Sequence, residues 1–379
     1  MRPNLKRIAA ASLLLRSSRP VWTNTPYVKQ TLALQLPYYL QQQPHQQQLL
    51  IESPRHFSTS RTSQLINTAP AIIDEDNSKA NNIASESFQF IAYAAWHPKT
   101  RQKAPTQKKV PYWKEDQKPG KVDAGEDAFF QTNTPEGLAI GVADGVGGWS
   151  LVGVDPALFS WTLMDNAAIV AKNEKSIDAH QILDSAFQEL RKSGKVAAGS
   201  STACILNLSK TTGEMTSCNL GDSAFLLVRD KKIVYESPSQ QHYFNCPYQL
   251  SVVPDTYPNR DDMVTDLPKD ADTKRFFLKD GDLILLATDG YFDNMYSHET
   301  LELINSGMEP IEESQTDNEV VTATIRGLAK TLTDRARRLS LNPKRLSPWA
   351  KAAQAHGSNY RGGKVDDITC IVTLVSQNK

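Results

Sequence analysis

Positions 88–93 alternate, with Phe88, Phe90 and Ala92 on one parity and Gln89, Ile91 and Tyr93 on the other, a period of two that predicts a strand. From position 138 onward, short apolar runs recur between polar turns. The run 138–143 ends in Asp144-Gly145. Runs 203–208 and 215–220 flank Lys210-Thr211-Thr212-Gly213, and runs 224–228 and 233–235 flank positions 229–232. Runs 275–278 and 283–287 flank Lys279-Asp280-Gly281-Asp282, and 368–375 is a last strand. Each flanking pair reads as a hairpin, with Asp-Gly as the turn of the third. Three stretches change to the helical period. Asp155-Pro156 offers an N-cap and a first-turn proline ahead of Leu158, Trp161, Leu163, Met164 and Ile169, to about Lys172. Ser176 predicts the cap of a second helix, with Ile182, Leu183, Ala186, Phe187 and Leu190 on one face and Gly194 as its stop. A third is expected from about Asp317 to Leu339, with Val321, Ile325, Leu328, Leu332 and Ala336. Consecutive hairpins make antiparallel sheets, and apolar sheet faces need helices to cover them. The pattern therefore predicts an α+β domain over residues 86–379, two packed antiparallel β-sheets flanked by α-helices.

Charge divides the chain differently. Of 42 Lys+Arg and 42 Asp+Glu, residues 1–64 hold eight bases and one acid, Glu52, so the rest carries 34 bases against 41 acids, a net of −7. An Arg-rich, Ser-rich leader with no acid before position 52 has the composition of a mitochondrial transit peptide. Arg55-His56-Phe57-Ser58-Thr59-Ser60 looks like a matrix-type processing motif, so residues 1–64 are expected to be a presequence and low-complexity leader, the protein mitochondrial and in the matrix. The apolar run 8–15 leaves a secretory signal as the rival, but arginines follow it and no small-x-small site closes it. Residues 65–85 read as a linker. The stretch 97–121 carries eight Lys/Arg and reads as a solvated loop, or alternatively as a dock for an acidic partner. An acidic body argues against nucleic-acid binding, and no run of 18 apolar residues predicts a stable membrane span. The four cysteines form no CxxC pair, which leaves reduced, buried thiols as the expectation.

Carboxylates gather where predicted strands end: Gly125-Glu126-Asp127, Val142-Ala143-Asp144-Gly145, Ala287-Thr288-Asp289-Gly290, Lys364-Val365-Asp366-Asp367, and more weakly Asn219-Leu220-Gly221-Asp222. A carboxylate at the end of a buried strand is costly unless hydrogen-bonded or bound to a cation. All-oxygen donors suit Mg²⁺ or Mn²⁺ rather than Zn²⁺. Asp-Gly is also ordinary turn chemistry, and that reading stands beside the metal one.

The blocks 125–128, 142–148, 199–203, 219–223, 287–294 and 363–369, in this order, resemble those of the PPM (type 2C) metal-dependent protein Ser/Thr phosphatases, and segments 144–149 and 240–245 resemble the mitochondrial branch. The resemblance implies an α-β-β-α sandwich with two cations, and a weaker third, at one end. Glu126, Asp144, the Gly145 carbonyl, Asp289 and Asp366 match the ligands of the first two cations, with Asp144 and Asp289 central to catalysis. Asp222 matches a ligand of the third, shared with Asp289 and Asp293. Asp367 falls where the family often has Asn and is expected to be a neighbour rather than a direct metal ligand; on a strand, residues 366 and 367 would also face opposite sides. Phosphoproteins are the implied substrates, hydrolysed by water activated between cations about 3.5–4 Å apart. Two positions depart from the pattern. Val146 stands where many members have His, and Lys121, one residue further from the Glu-Asp pair than the usual Arg, is the candidate phosphate-binding group. His242 is expected to pack rather than catalyse. A catalytically silent member of the family acting as a binding module, and a hydrolase of small phosphate esters, are the other readings.

Overall fold

The structure, a computed structural model, describes residues 87–99, 123–257, 260–313 and 318–377. The leader, the linker and Lys121 lie outside these residues.

One sheet has the order β12-β6-β5-β3-β2, from strands β2 (Asp127–Thr134), β3 (Gly137–Asp144), β5 (Ala203–Ser209), β6 (Glu214–Leu220) and β12 (Asp272–Phe277). The second has the order β1-β14-β13-β7-β8, from β1 (Phe88–His97), β7 (Ala224–Arg229), β8 (Lys232–Glu236), β13 (Leu283–Ala287) and β14 (Ile368–Gln377). Every pairing within both is antiparallel. Two small ribbons, β4 (Gly199–Ser201) with β11 (Leu250–Val252) and β9 (Gln241–Tyr243) with β10 (Cys246–Pro247), lie beside them.

Side-chain alternation sets the layers. In β3, Leu138, Ile140 and Val142 enter the core between the sheets, while Ala139 and Ala143 face helices α1 (Pro156–Asn173) and α2 (Ala179–Ser193). In β13, Ile284 and Leu286 face the central core, while Leu283, Leu285 and Ala287 face the opposite helix layer. That layer contains α4 (Ser297–Glu313) and α5 (Asn318–Ser340), beside the short α3 (Asp289–Phe292); α6 (Pro348–Ala355) precedes the last strand. The predicted α+β sandwich is the observed one, with three apolar cores separating four layers. All four cysteines are free and buried. No helix among the described residues is long and apolar enough to cross a membrane.

Three local expectations change. The cap of α2 is Asp178, not Ser176: the Asp178 carboxylate accepts from the Gln181 amide while the Gln181 side chain accepts from the Asp178 amide, satisfying two end donors at once. Ser176 instead takes φ +52° and binds Glu136. The third hairpin is not one. β12 pairs with β6, whereas β13 pairs with β7 and β14, so residues 278–282 carry the chain from one sheet to the other. Asp282 anchors this crossing: it is fully buried and takes a two-pronged bond from Arg229, Nε to Oδ1 at 2.7 Å and Nη2 to Oδ2 at 2.6 Å. Helices α3, α4 and α6 were not expected. α4 packs Leu301, Ile304, Met308 and Ile311 on the same apolar core as α5 and contains Pro310 near its end.

Candidate active site

The layers bring strand ends together. Asp127 opens β2 opposite Asp144, the last residue of β3. Asp289 follows β13 after one residue, and Asp366 and Asp367 lead into β14, its partner. Backbone closeness accounts for two of the glycines. Gly125 takes φ +85° beside the Asp367 carboxylate, and a Cβ at Gly290 would collide with the Asp367 carbonyl oxygen.

Two ammonium groups sit among the acids. Lys99 Nζ lies 2.8 Å from Glu126 Oε2, 2.9 Å from Asp366 Oδ1 and 3.4 Å from Asp367 Oδ2. Lys364 Nζ lies 2.6 Å from Asp289 Oδ2, 2.6 Å from Asp293 Oδ2 and 3.1 Å from Asp366 Oδ2. Backbone donors hold further oxygens: Asp367 accepts from the Lys99 amide at 2.6 Å and from the Glu126 amide at 2.9 Å. Asp127 is fully buried, and its Oδ2 accepts from the Thr288 hydroxyl at 2.9 Å and the Thr369 hydroxyl at 2.8 Å. Its Oδ1 and the Oδ1 of Asp289 are buried without a hydrogen-bond partner.

Eight carboxyls (126, 127, 144, 222, 289, 293, 366, 367) thus share two ammonium groups, and the acidities of Asp127, Asp144, Asp222, Asp293, Asp366 and Asp367 respond. Burial, then the charges of Asp289, Asp127 and Asp366, raise Asp144 well above the ordinary carboxylate range, against Lys99. Burial, Asp367 and Asp289 raise Asp127, against the two threonine hydroxyls. Burial, Asp289 and Asp293 raise Asp222. Burial pushes Asp293 up to about 7 and Asp367 up to about 6, each opposed by its lysine. Asp366 goes the other way: burial works against its ionisation, but Lys364 and Lys99 outweigh it and hold the carboxyl below its usual range. Both ammonium groups are raised despite burial, because the acids surround them. Burial first, and mutual repulsion with it, push these anions toward protonation, as expected of a site short of positive charge.

Glu126, Asp289 and Asp366 are linked through the two lysines. Asp144 lies in the same field of charge, with its carbonyl fixed by the Ser201 hydroxyl at 2.8 Å and the Thr202 amide at 3.0 Å. The Gly145 amide donates to the Glu126 carbonyl at 3.1 Å. Asp222 faces Asp289 and Asp293 electrostatically and accepts from Gln241 at 3.2 Å. Asp367 also meets the cluster, through Lys99 and the Glu126 amide. Strand β14 begins only at Ile368, so alternation does not govern residues 366 and 367, and both reach Lys99. His242 packs as expected, paired with Asp266 at 3.0 Å and stacked on Tyr248 with ring centroids 4.2 Å apart. Lys99 and Lys364 were missed. Lys99 sits in a polar stretch without periodicity, whereas Lys364, next to two acids in a quoted block, carried a readable signal.

Among the described residues, no three His, Cys, Asp or Glu side chains are arranged as they stand to hold a metal ion; the ammonium groups are interposed. The donor set nevertheless suits a hard divalent cation. It is all oxygen, it has excess negative charge, and Asp289 offers a buried oxygen with no partner.

The family model for SpoIIE, stage II sporulation protein E, matches residues 134–339. The human protein phosphatase PTC7 homolog (Homo sapiens) is 39% identical over 260 residues, 67% of this chain and 80% of that protein. The chain belongs to the PPM family of protein phosphatases. The 5-azacytidine resistance protein azr1 of Schizosaccharomyces pombe is 40% identical over 254 residues, 66% of this chain and 82% of that protein. Among solved structures, the photosystem II phosphatase PBCP superposes with a TM-score of 0.57 at 28% identity, covering 75% of this chain and 98% of that one. For this PPM phosphatase the two sheets and the helix layers follow the plan of its relatives.

Proposed function

We propose that this phosphatase hydrolyses phosphoserine and phosphothreonine in mitochondrial phosphoproteins, using Mg²⁺ or Mn²⁺ held by Glu126, Asp144, the Gly145 carbonyl, Asp289 and Asp366. The observation that carries this reading is the meeting of acids from three distant stretches, 126, 289–293 and 366–367, around a shared deficit of positive charge. Divalent ions bound there supply Lewis-acid activation of water and neutralise the phosphoryl oxygens. The chain's own part is to hold the acids still. Thr288 and Thr369 hydroxyls fix Asp127, and the Glu126 and Lys99 amides fix Asp367. Lys99 brings a cation beside Glu126 and Asp366, where it would meet the anionic phosphoester. Val146 has no titratable group, so the proton for the departing alkoxide would come from water.

The Arg-rich leader, free of acids before position 52, and Arg55–Ser60 support mitochondrial import. The likeness of segments 144–149 and 240–245 to the mitochondrial branch supports metabolic enzymes as substrates, those of ubiquinone synthesis among them. The test is phosphate release from a phosphothreonine peptide by the full chain with Mn²⁺, with Mg²⁺ and with EDTA, beside Asp289→Asn. Activity should need the metal and fall at least about a hundredfold in the variant, the scale of losing one electrostatic group at the reacting centre. Metal-loaded, folded protein that releases no phosphate would instead support a silent binding module.

A further inference from the structure

Lys364 is not a surface lysine that happens to lie near acids. Its amide donates to Asn294 Oδ1 at 2.9 Å and its carbonyl accepts from Asn294 Nδ2 at 2.8 Å, so a fully buried asparagine grips its backbone from both sides. The same Asn294 amide donates to the Gly290 carbonyl at 2.9 Å, which ties the lysine to the turn bearing Asp289. The ammonium group has three protons, and three carboxylate oxygens receive them, on Asp289, Asp293 and Asp366. The two shortest contacts, both 2.6 Å, fall on two of the three acids that the family resemblance assigns to the weak third cation. Asp222, the third of these, faces the same charge.

We propose that the Lys364 ammonium is a resident cation that takes the place of the third divalent ion, so that this phosphatase binds two ions and not three. The inference rests on the phosphatase reading above. The two lysines differ in what they occupy. Lys99 bridges Glu126 and Asp366, both of which the catalytic pair of ions would need. Lys364 binds Asp289 through Oδ2 only, leaving the buried Oδ1 without a partner and available to that pair. One aspartate can thus serve the lysine and a metal at once, through different oxygens. A single charge suits this role. Once Asp366 turns to the metal pair, Asp289 and Asp293 remain beside the ammonium, and a fixed monovalent cation offsets them without the dehydration cost of a further divalent ion. Lys364 is therefore a positioning residue, holding the Asp289 carboxylate toward the catalytic ions.

The test counts ions. Full-length protein stripped with EDTA is dialysed against Mn²⁺ up to several millimolar and the bound metal measured, with calorimetric titration alongside. Wild type should hold two Mn²⁺ per chain. Lys364→Met should hold three, Lys364→Arg should return to two, and Lys364→Met combined with Asp293→Asn should lose the added ion. Three ions in wild type, or two in Lys364→Met with unchanged affinities, would overturn the inference while leaving the phosphatase reading intact. No bound Mn²⁺ in folded wild type would overturn both. If Lys364→Met does not fold, the wild-type count and the Lys364→Arg count decide.

Discussion

Replacing Arg229 with methionine tests how β13, and with it Asp289, is held in register. Arg229 gives two charged hydrogen bonds to Asp282, which is fully buried at the point where the chain changes sheets. Methionine keeps much of the apolar stem and removes both bonds, each worth about 1.5–3 kcal/mol to a charged partner. Stranding a buried charge costs about 3–5 kcal/mol. Two features place the loss at the lower end. Asp282 keeps the Lys279 amide at 2.8 Å, and water reaches the arginine side, where the side chain is 22% exposed. The expected destabilisation is therefore about 3 kcal/mol. An unfolding entropy of about 2.1 cal/mol/K per residue over roughly 260 residues is about 0.55 kcal/mol/K, so Tm should fall by about 5–6 °C. Calorimetry in Mn²⁺-free buffer measures it. Arg229→Met with Asp282→Leu should recover most of the loss, because an apolar pair leaves no charge stranded. A single variant within about 1 kcal/mol of wild type, or a double variant no better than the single, would refute this account of the crossing.

Other outcomes follow from the site. Lys99→Met should lower kcat/KM by at least about tenfold, the scale of one charged contact to phosphate, while Lys121→Ala should change it less; equal losses would return the phosphate role to Lys121. Metal-free protein should lose stability as pH rises. Asp293 and Asp367 have folded pKa values raised to about 7 and about 6 from 3.8, so their contribution is complete below about pH 4 and lost by about pH 7. Asp366, lowered, acts in the opposite sense and only below its ordinary range. A Tm in EDTA that is flat or rises between pH 4.5 and 7.5 would contradict this, and Asp293→Asn should flatten much of the slope. Gly290→Ala should cost about 1–3 kcal/mol or more and weaken Mn²⁺ binding, since its Cβ meets the Asp367 carbonyl; unchanged unfolding and metal titration would argue against that close approach.

Much of the fold was legible where one periodicity ran uninterrupted. The stripes of α2 and α5 and the alternation of β3 marked elements whose buried faces are the observed ones; in α1, Trp161, Leu163 and Met164 are buried as expected, whereas Ile169 is exposed. The third hairpin failed for a definite reason. Asp280-Gly281 does form a turn, with Gly281 at φ +80°, but a turn signal says that the chain bends and not which sheet receives the next strand. The Gly281 amide bonds to the Val375 carbonyl and the Val375 amide to the Asp282 carbonyl, nearly 100 residues away, and that pairing decided it. The acids of the site were readable because apolar runs lead straight into them. Of their counter-charges only Lys364 stood beside acids in the sequence; Lys99 looks like any solvated lysine until folding brings the Glu126 and Asp366 carboxylates around it.

The sequence by itself determined the layer plan, the strand-end carboxylates, an oxygen-only donor set and the charge contrast between leader and body, because periodicity and residue chemistry are local properties. Only the tertiary structure decided that β12 and β13 part company, that Asp367 meets the acidic cluster, and that Lys99 and Lys364 partly offset its charge. Those outcomes depend on distances between residues up to 268 positions apart, as in the Lys99 amide bond to Asp367, and a charge has no measurable consequence for its neighbours until folding sets that distance and removes the water between them.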